Sequence, residues 1–442
     1  MPVSSFGYVN RFRLLPFDVK RYGPPNPYLY LTTVLLFHQR RCFMKERGMW
    51  MGLVVFSLVC LLAGPCLAQR GVTKDTIKLG LILVKTGPVA ALGLPNGNGM
   101  VDYLQYLNDT AGGIAGRKIE VIWEDDSFEA PKSVAALKKL ITRDNVLTVI
   151  TTGGSQQTMA NLENINQYKL PNIPNALMKE FYDPFQPYIF AMGATYEAQF
   201  ECIVDYIFND LKEKKPRIGV VYEKKEYGIK GMEAVKMRAK AYGVDLISEL
   251  ALPTGAVDAS SQVLALMNDK VDYVITCLLL PPTITYLKTA EKYNYWPKNV
   301  FGFNWATDDM IIKACGEAAK NYIGVNFVGA WWDESPGIKL VREIAQKYNR
   351  TEIGLTSLYI NGIGVSMLFG EAFKRAGKDL TPDSLKAALE TFREHGTGGV
   401  FPPATYTSKS HAPSEMVKFF KADVGNKRLV AISDWRKPKE IK

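Results

Sequence analysis

A regular alternation of short apolar runs and amphipathic stretches, met twice in series, most limits the folds open to this chain. From Thr76 the order is "TIKLGLIL" (76–83), a helical stretch from Gly93 to Leu107, "KIEVIWE" (118–124), a helix over 131–143, "VLTVITT" (146–152) and a helix from Gln156 to Tyr168. Short extended pieces follow near Ile173 and Tyr188, and a helix from Thr195 sets Phe200, Ile203, Val204, Ile207 and Leu211 on one face. After the polar "KEKKPR" (212–217) the alternation restarts: "IGVVY" (218–222), a helix over 229–241, "VDLISELAL" (244–252), a helix over 258–269, "VDYVITCLL" (271–279), a helix over 283–293 and a strand over 299–303. Apolar strand runs separated by helices are the pattern of parallel sheets covered by helices. Two such sets of similar length, in a chain of 442 residues, predict two α/β lobes with a cleft between them.

The last third departs from the alternation. Helices over 337–349, 356–376 and 382–394 precede "MVKFFKADVGNKRLVAI" (416–432), two runs joined through Asp423, Gly425 and Asn426 as in a hairpin. Late helices followed by late strands predict that the chain returns to each lobe in turn, so that several crossings form a hinge. The expected division is 73–193 with 327–395 as the first lobe and 194–326 with 396–435 as the second.

The first 68 residues behave differently. The apolar stretch "MWMGLVVFSLVCLLAG" (49–64) follows Lys45 and Arg47 and precedes "PCLAQ", with small residues Cys66 and Ala68 at the −3 and −1 positions of a cut after Ala68. It reads as a secretory signal peptide over 44–68, hence a periplasmic protein, the alternative being an uncleaved anchor helix. Residues 1–43 form an extension without periodicity, which points to a start at Met44 or Met49. Residues 1–68 carry eight Lys/Arg and two Asp/Glu, so they supply +6 of the net +10. The remainder, near +4, gives nucleic-acid binding little support. Beyond the cut only Cys202, Cys277 and Cys315 remain, at spacings of no zinc or haem motif, so buried free thiols or at most one disulfide are expected.

Enzyme signatures are missing. With only His38, His395 and His411 in the chain, a histidine-based triad or multi-histidine metal site has little to draw on. "GNGM" (97–100) lacks the third glycine of a dinucleotide loop, and "GGIAGRK" (112–118) has neither the spacing nor the Ser/Thr of a phosphate loop. No catalytic residue, metal or cofactor is therefore predicted. The acid cluster Glu124, Asp125 and Asp126 stands at the carboxyl end of a strand, before a helix whose Val134, Leu137, Leu140 and Ile141 face a core; with Ser127 it is read as holding the helix start.

Taken together, residues 77–141 resemble the opening of the type I periplasmic solute-binding proteins of ABC transporters, the group that includes the branched-chain amino-acid (leucine) binding proteins. The match rests on the Thr86–Pro88 loop, the Gly-rich helix start over Gly93–Gly99, Asn108 with Gly112–Ile119, and the acids Glu124–Asp126, all in the family's order. It continues in "YEKKEYGIKGMEAVK" (222–236) and "GIGVSMLFGEAFKRAG" (362–377) and spans essentially 75–435. The resemblance implies two Rossmann-like lobes with parallel central sheets, joined by three hinge crossovers and closing on a small solute that is then delivered to permease subunits in the membrane.

Ligands of open parallel sheets sit beyond the carboxyl ends of the strands. Position alone thus marks Thr86, Gly154 within "TGGSQQT" (152–158), and the loop Asn175–Leu177. The resemblance assigns carboxylate binding to Ser155, Gln156, Asn175 and Ala176, and adds Tyr227 and Leu278, the latter in the Cys277–Pro281 loop. Tyr196 and Trp305 could supply aromatic faces; ordinary capping and core packing are the competing readings. One departure stands out. Amino-acid binders of the family hold the ligand ammonium with an acid near the end of the strand corresponding to 271–279, where this chain reads "TCLLLPPT". The expectation is that the ligand need not be an α-amino acid, and that an amide or an organic or aromatic carboxylate suits the wall. The predicted function is the substrate-binding component of an ABC importer. A ligand-sensing receptor domain of the same fold is the alternative, disfavoured because no DNA-binding element precedes Thr73 and no second span follows, and a secreted α/β enzyme ranks behind both.

Overall fold

The computed structural model describes residues 70–350 and 356–441, so the expected signal peptide and the extension over 1–43 lie outside the described residues. In the first lobe β1 (Thr76–Ile82) leads to α1 (Ala90–Ala111), β2 (Lys118–Glu124), α2 (Ala130–Thr142), β3 (Thr148–Val149) and α3 (Ser155–Gln167). The sheet order is β2-β1-β3, all parallel. Although β3 is short, the whole expected run lies along β1, since Leu147 N donates to Lys78 O (2.8 Å) and Ile82 N to Thr151 O (3.1 Å). Beyond it, Ile173 N donates to Ile150 O and Asn172 pairs with Ile189, which accounts for the two extended pieces.

The second lobe begins with α4 (Tyr196–Asn209) and continues through β4 (Ile218–Tyr222), α5 (Glu226–Ala241), β5 (Ser248–Ala251), α6 (Ser260–Asn268), β6 (Tyr273–Cys277), α7 (Leu280–Lys292), β7 (Asn299–Gly302), α8 (Met310–Cys315) and β8 (Tyr322–Asn326). Its sheet runs β10-β9-β8-β7-β6-β4-β5, with β9 (Lys418–Asp423) antiparallel to both β8 and β10 (Arg428–Ala431), so the late hairpin extends the second sheet. Strands β6 and β8 are buried at every residue, which is why they read as continuous apolar runs. β8 is absent from the alternation read in the sequence: its "YIGVN" has only three apolar residues, broken by Gly324 and ended by Asn326, whereas "IGVVY" of β4, equally short, has four. β5 is likewise shorter than "VDLISELAL", being the sheet edge with a partner on one side only.

Helices α9 (Pro336–Lys347), α10 (Ser357–Ala376) and α11 (Pro382–Leu389) follow β8. α10 packs on α1 of the first lobe backbone to backbone: a Cβ at Gly99 would stand 2.2 Å from Tyr359 O and one at Gly362 1.9 Å from Asn96 O. Only hydrogen at these positions permits that approach. Helix α11 opens with a capping box between Thr381 and Ser384.

The three crossings between the lobes touch one another. A Cβ at Gly193 on the first would meet the Phe327 ring of the second at 2.1 Å. Glu415 on the third accepts hydrogen bonds from Thr195 N (2.8 Å) and Thr195 Oγ1 (3.1 Å) on the first. The third crossing also corrects the expected division at residue 396. Gly337 N donates to Gly398 O, Tyr406 OH donates to Ala191 O, Ala191 N donates to His411 O and the His411 ring contacts Ile189 O, so 396–411 stay with the first lobe and the chain returns only beyond His411. This turn-rich stretch has no period to read, and its placement depends on burying Val400, Phe401 and Tyr406.

Candidate functional site

The carboxyl ends of both sheets face a shared cavity with about 540 Å³ of empty space, part of it open to solvent. That size lies in the range of small-molecule sites. The first lobe contributes Leu83 and Val84 after β1, Val89, Leu92 and Asn96 around the start of α1, Asp126 and Phe128 after β2, Gly153 to Ser155 between β3 and α3, and Asn175. Tyr196 opens α4, and the second lobe adds Tyr227 on α5, Leu279 before α7 and Trp305 in the turn after β7.

The turn into α3 is shaped for an anion. Gly153 has φ +83°, a conformation that side chains rarely adopt, and Gly154 caps the helix without a side-chain hydrogen bond. The first-turn amides are thus left without the usual capping oxygen, at the positive end of the helix. Ser155 is buried here, its Oγ 3.5 Å from the Tyr196 hydroxyl, which accepts a hydrogen bond from Trp305 Nε1 at 3.1 Å. Burial raises the Tyr196 and Tyr227 phenols, so both remain neutral at physiological pH.

The acid cluster divides into three roles, and none caps α2, whose N-cap Glu129 has no side-chain hydrogen bond. Glu124 pairs with Lys139 (2.7 Å). Asp125 ties the loop after β1 to that after β2, accepting from Lys85 N (2.8 Å), Thr86 Oγ1 (2.7 Å) and Ser127 N (2.9 Å). Asp126 is buried in the cavity wall: Oδ1 accepts from Phe128 N (2.9 Å), while Oδ2 has no partner. Burial, with the nearby charges of Asp125 and Glu129 adding to it, pushes its carboxyl up to about 6.

A chain of amides orients Asn175. Its Nδ2 donates to Asn96 Oδ1 (3.1 Å) and Asn96 Nδ2 donates to Asn361 Oδ1 (3.0 Å), leaving Asn175 Oδ1 buried without a partner. On the opposite wall the polar atoms are already engaged: Tyr227 OH donates to Glu223 Oε2 (2.7 Å), as does Leu279 N (3.0 Å). Tyr196, Tyr227 and Phe303 pack ring to ring with centroids 5.7–6.4 Å apart. At the rim Gln156 of the first lobe bonds Glu226 (3.1 Å) and Lys225 (3.2 Å) of the second, and Glu180 pairs with Lys230. Among the described residues, no group of three or more His, Cys, Asp or Glu side chains could hold a metal, and Cys202, Cys277 and Cys315 are free and buried.

A model of the periplasmic binding protein family matches residues 76–427. The chain belongs to that family. It is 24% identical over 257 residues to the Leu/Ile/Val-binding protein homolog 7 of Brucella melitensis, covering 57% of this chain and 63% of that protein. It is 25% identical over 207 residues to the leucine-specific-binding protein of Salmonella typhimurium, covering 47% and 55%. The match thus spans less than two thirds of either relative. In fold it is similar to a branched-chain amino-acid ABC transporter protein of Thermus thermophilus with bound valine (TM-score 0.77, 20% identity, 83% of this chain and 97% of that one). A fatty acid ABC transporter substrate-binding protein of Thermomonospora curvata is also similar (TM-score 0.74, 24% identity, 84% and 94%). These likenesses bear out the doubly lobed α/β fold expected of the chain.

Of the residues singled out in the sequence, Gly154, Ser155, Asn175, Tyr196, Tyr227 and Trp305 line the cavity of this periplasmic binding protein. Four do not. Thr86 is exposed and bound to Asp125; Gln156 turns to the rim. Ala176 is fully buried, its carbonyl accepting from Tyr182 OH, and Leu278 is buried outside the lining while its neighbour Leu279 faces in. The reversal at 278–279 is a matter of one residue where an extended chain turns into a helix, which spacing cannot fix. Asn96, Asp126 and Phe128 were missed as site residues; the acid cluster was the available signal for Asp126.

Proposed function

We propose that the protein is the periplasmic substrate-binding component of an ABC importer, which captures a small solute bearing a carboxylate or amide and an apolar tail and delivers it to a membrane permease. The observation that carries this reading is the inter-lobe cavity itself, with the uncapped start of α3 at one side and Leu83, Val84, Leu92 and Leu279 around it. The solute docks against the first lobe, and the second closes over it by bending at the three crossings. The valine bound by the Thermus neighbour and the fatty acid in the name of the Thermomonospora neighbour are both carboxylates with apolar tails, in line with this site. A thermal-shift screen of the purified protein against amino acids, amides and aromatic and aliphatic carboxylates tests the proposal: a ligand of the folded form raises Tm. Silence across all these classes would contradict it.

A further inference from the structure

Phe128 lines both the inter-lobe cavity and an outer groove, and among the described residues no other lines both. The groove, about 920 Å³ of empty space with open solvent included, lies at the cleft rim between Pro131 on α2, Gln156, Met159 and Ala160 on α3, and Lys225 and Glu226 at the start of α5. The first turn of α3 thus has the cavity on one side, at Gly154 and Ser155, and the groove on the other, at Gln156. The Phe128 ring stands between them. A Cβ at Gly154 would meet Phe128 Cε2 at 2.9 Å and Cζ at 3.6 Å, so the edge of this half-buried ring rests on the N-cap of α3.

The chain holds the ring there against its own backbone preference. Ser127 (φ +49°) and Phe128 (φ +62°) are two successive left-handed residues, neither of them glycine, a conformation that L side chains disfavour. Two of the three neighbouring acids secure them: Asp125 Oδ1 accepts from Ser127 N and Asp126 Oδ1 from Phe128 N, both at 2.9 Å. Burying a phenyl ring does not by itself require such a turn, and a residue kept in a disfavoured region by its surroundings points to a role beyond packing. The role follows from position. Amides at a helix start attract an anion most strongly where water is excluded, and Phe128 covers those of α3 on the groove side. The same ring fills the space into which anything attached to the bound group would extend.

We infer, resting on the solute-binding reading above, that Phe128 is a specificity-determining residue that closes the end of the site at α3, so that the cleft selects a solute whose carboxylate or primary amide is terminal and rejects one carrying a substituent on that group. Esters, N-substituted amides and peptide-extended solutes are excluded. This narrows the proposed ligand class: a substituted amide keeps the oxygen that the helix start binds but has no room for its substituent. Selection of this kind works through a clash with the wrong ligand rather than an added contact with the right one.

The test is calorimetry on the purified protein with two matched sets, each with one tail and three ends: L-leucine, L-leucinamide and L-leucylglycine; and 3-phenylpropanoate, 3-phenylpropanamide and N-propyl-3-phenylpropanamide. In a set that binds, the acid or primary amide is expected to exceed the extended ligand by at least about thirtyfold in affinity to the wild type. Phe128→Gly suits the backbone at φ +62° and opens the partition. In that variant the extended ligand is expected to gain at least about tenfold, while the parent loses about three- to tenfold as water reaches the helix start. A merely structural role would weaken both alike. Phe128→Leu, which keeps an apolar side chain, should fall between. If the extended ligands bind the wild type as well as their parents, or if the variants fold and leave the ratio unchanged, the inference is overturned and the importer reading stands. If no acid or primary amide of either set binds, both fall together for these tails. The wild-type ratios decide whether extended solutes are rejected even if neither variant folds.

Discussion

On the first-lobe side of the cleft two buried oxygens, Asp126 Oδ2 and Asn175 Oδ1, lack partners, whereas on the second-lobe side Tyr227 and Trp305 have committed their polar atoms to Glu223 and Tyr196. A wall with unsatisfied groups gains from a ligand that completes it and loses from one that does not, so it discriminates. A wall whose polar atoms are satisfied offers area and shape, so it covers. The same division explains why one sheet edge carries the helix start and the acids while the other carries rings.

The largest effect should come from breaking the discriminating wall. Asn175→Leu removes an acceptor and leaves Asn96 Oδ1 without its donor; it is expected to weaken the best ligand by about 30- to 100-fold, or roughly 2–3 kcal/mol, in calorimetry. A loss no greater than that of a covering residue would erase the comparison. Leu279→Ala, on the covering wall, is expected to cost about tenfold, appearing mainly as faster dissociation in stopped-flow traces.

The hinge sharpens the picture through pH. Burial pushes Glu415 and Glu197 up to about 7, with Glu201 and Lys179 also facing Glu415. A carboxyl whose folded value stands above its unfolded one, near 4.5, favours folding below that lower value, and the benefit is lost as pH rises through 7. Glu415→Gln is therefore expected to raise Tm at pH 8, by an amount corresponding to about 1 kcal/mol, and to change it little at pH 4.5. Equal shifts at both pH values would contradict the assignment. The smallest effect belongs to the rim: Gln156→Ala should change affinity by no more than about threefold, as is usual for half-exposed polar contacts.

Much of the fold was legible because parallel strands buried on both faces, such as "VDYVITCLL", leave long apolar runs between helices. The hairpin through Asp423 and Asn426 was legible for its turn residues. What escaped was set by tertiary packing: the short strand "YIGVN", and the stretch 396–411, whose only guide is what Phe401 and Tyr406 are buried against. In the site, loops at strand ends pointed to Ser155 and Asn175, while Asp126 was hidden by its neighbours. Three adjacent acids look alike in sequence, yet the pleat and the turn send one to Lys139, one to the Thr86 loop and one into the cavity.

The most direct test is a crystal structure of the purified protein with its tightest-binding solute. The account predicts a carboxylate on the amides of α3 beside Ser155, a donor within hydrogen-bond distance of Asp126 Oδ2 and Asn175 Oδ1, and an apolar tail against Leu92 and Leu279. A ligand seated outside the inter-lobe cavity, or one whose polar groups are bound by the Tyr227 and Trp305 wall while Asp126 stays unpartnered, would contradict it.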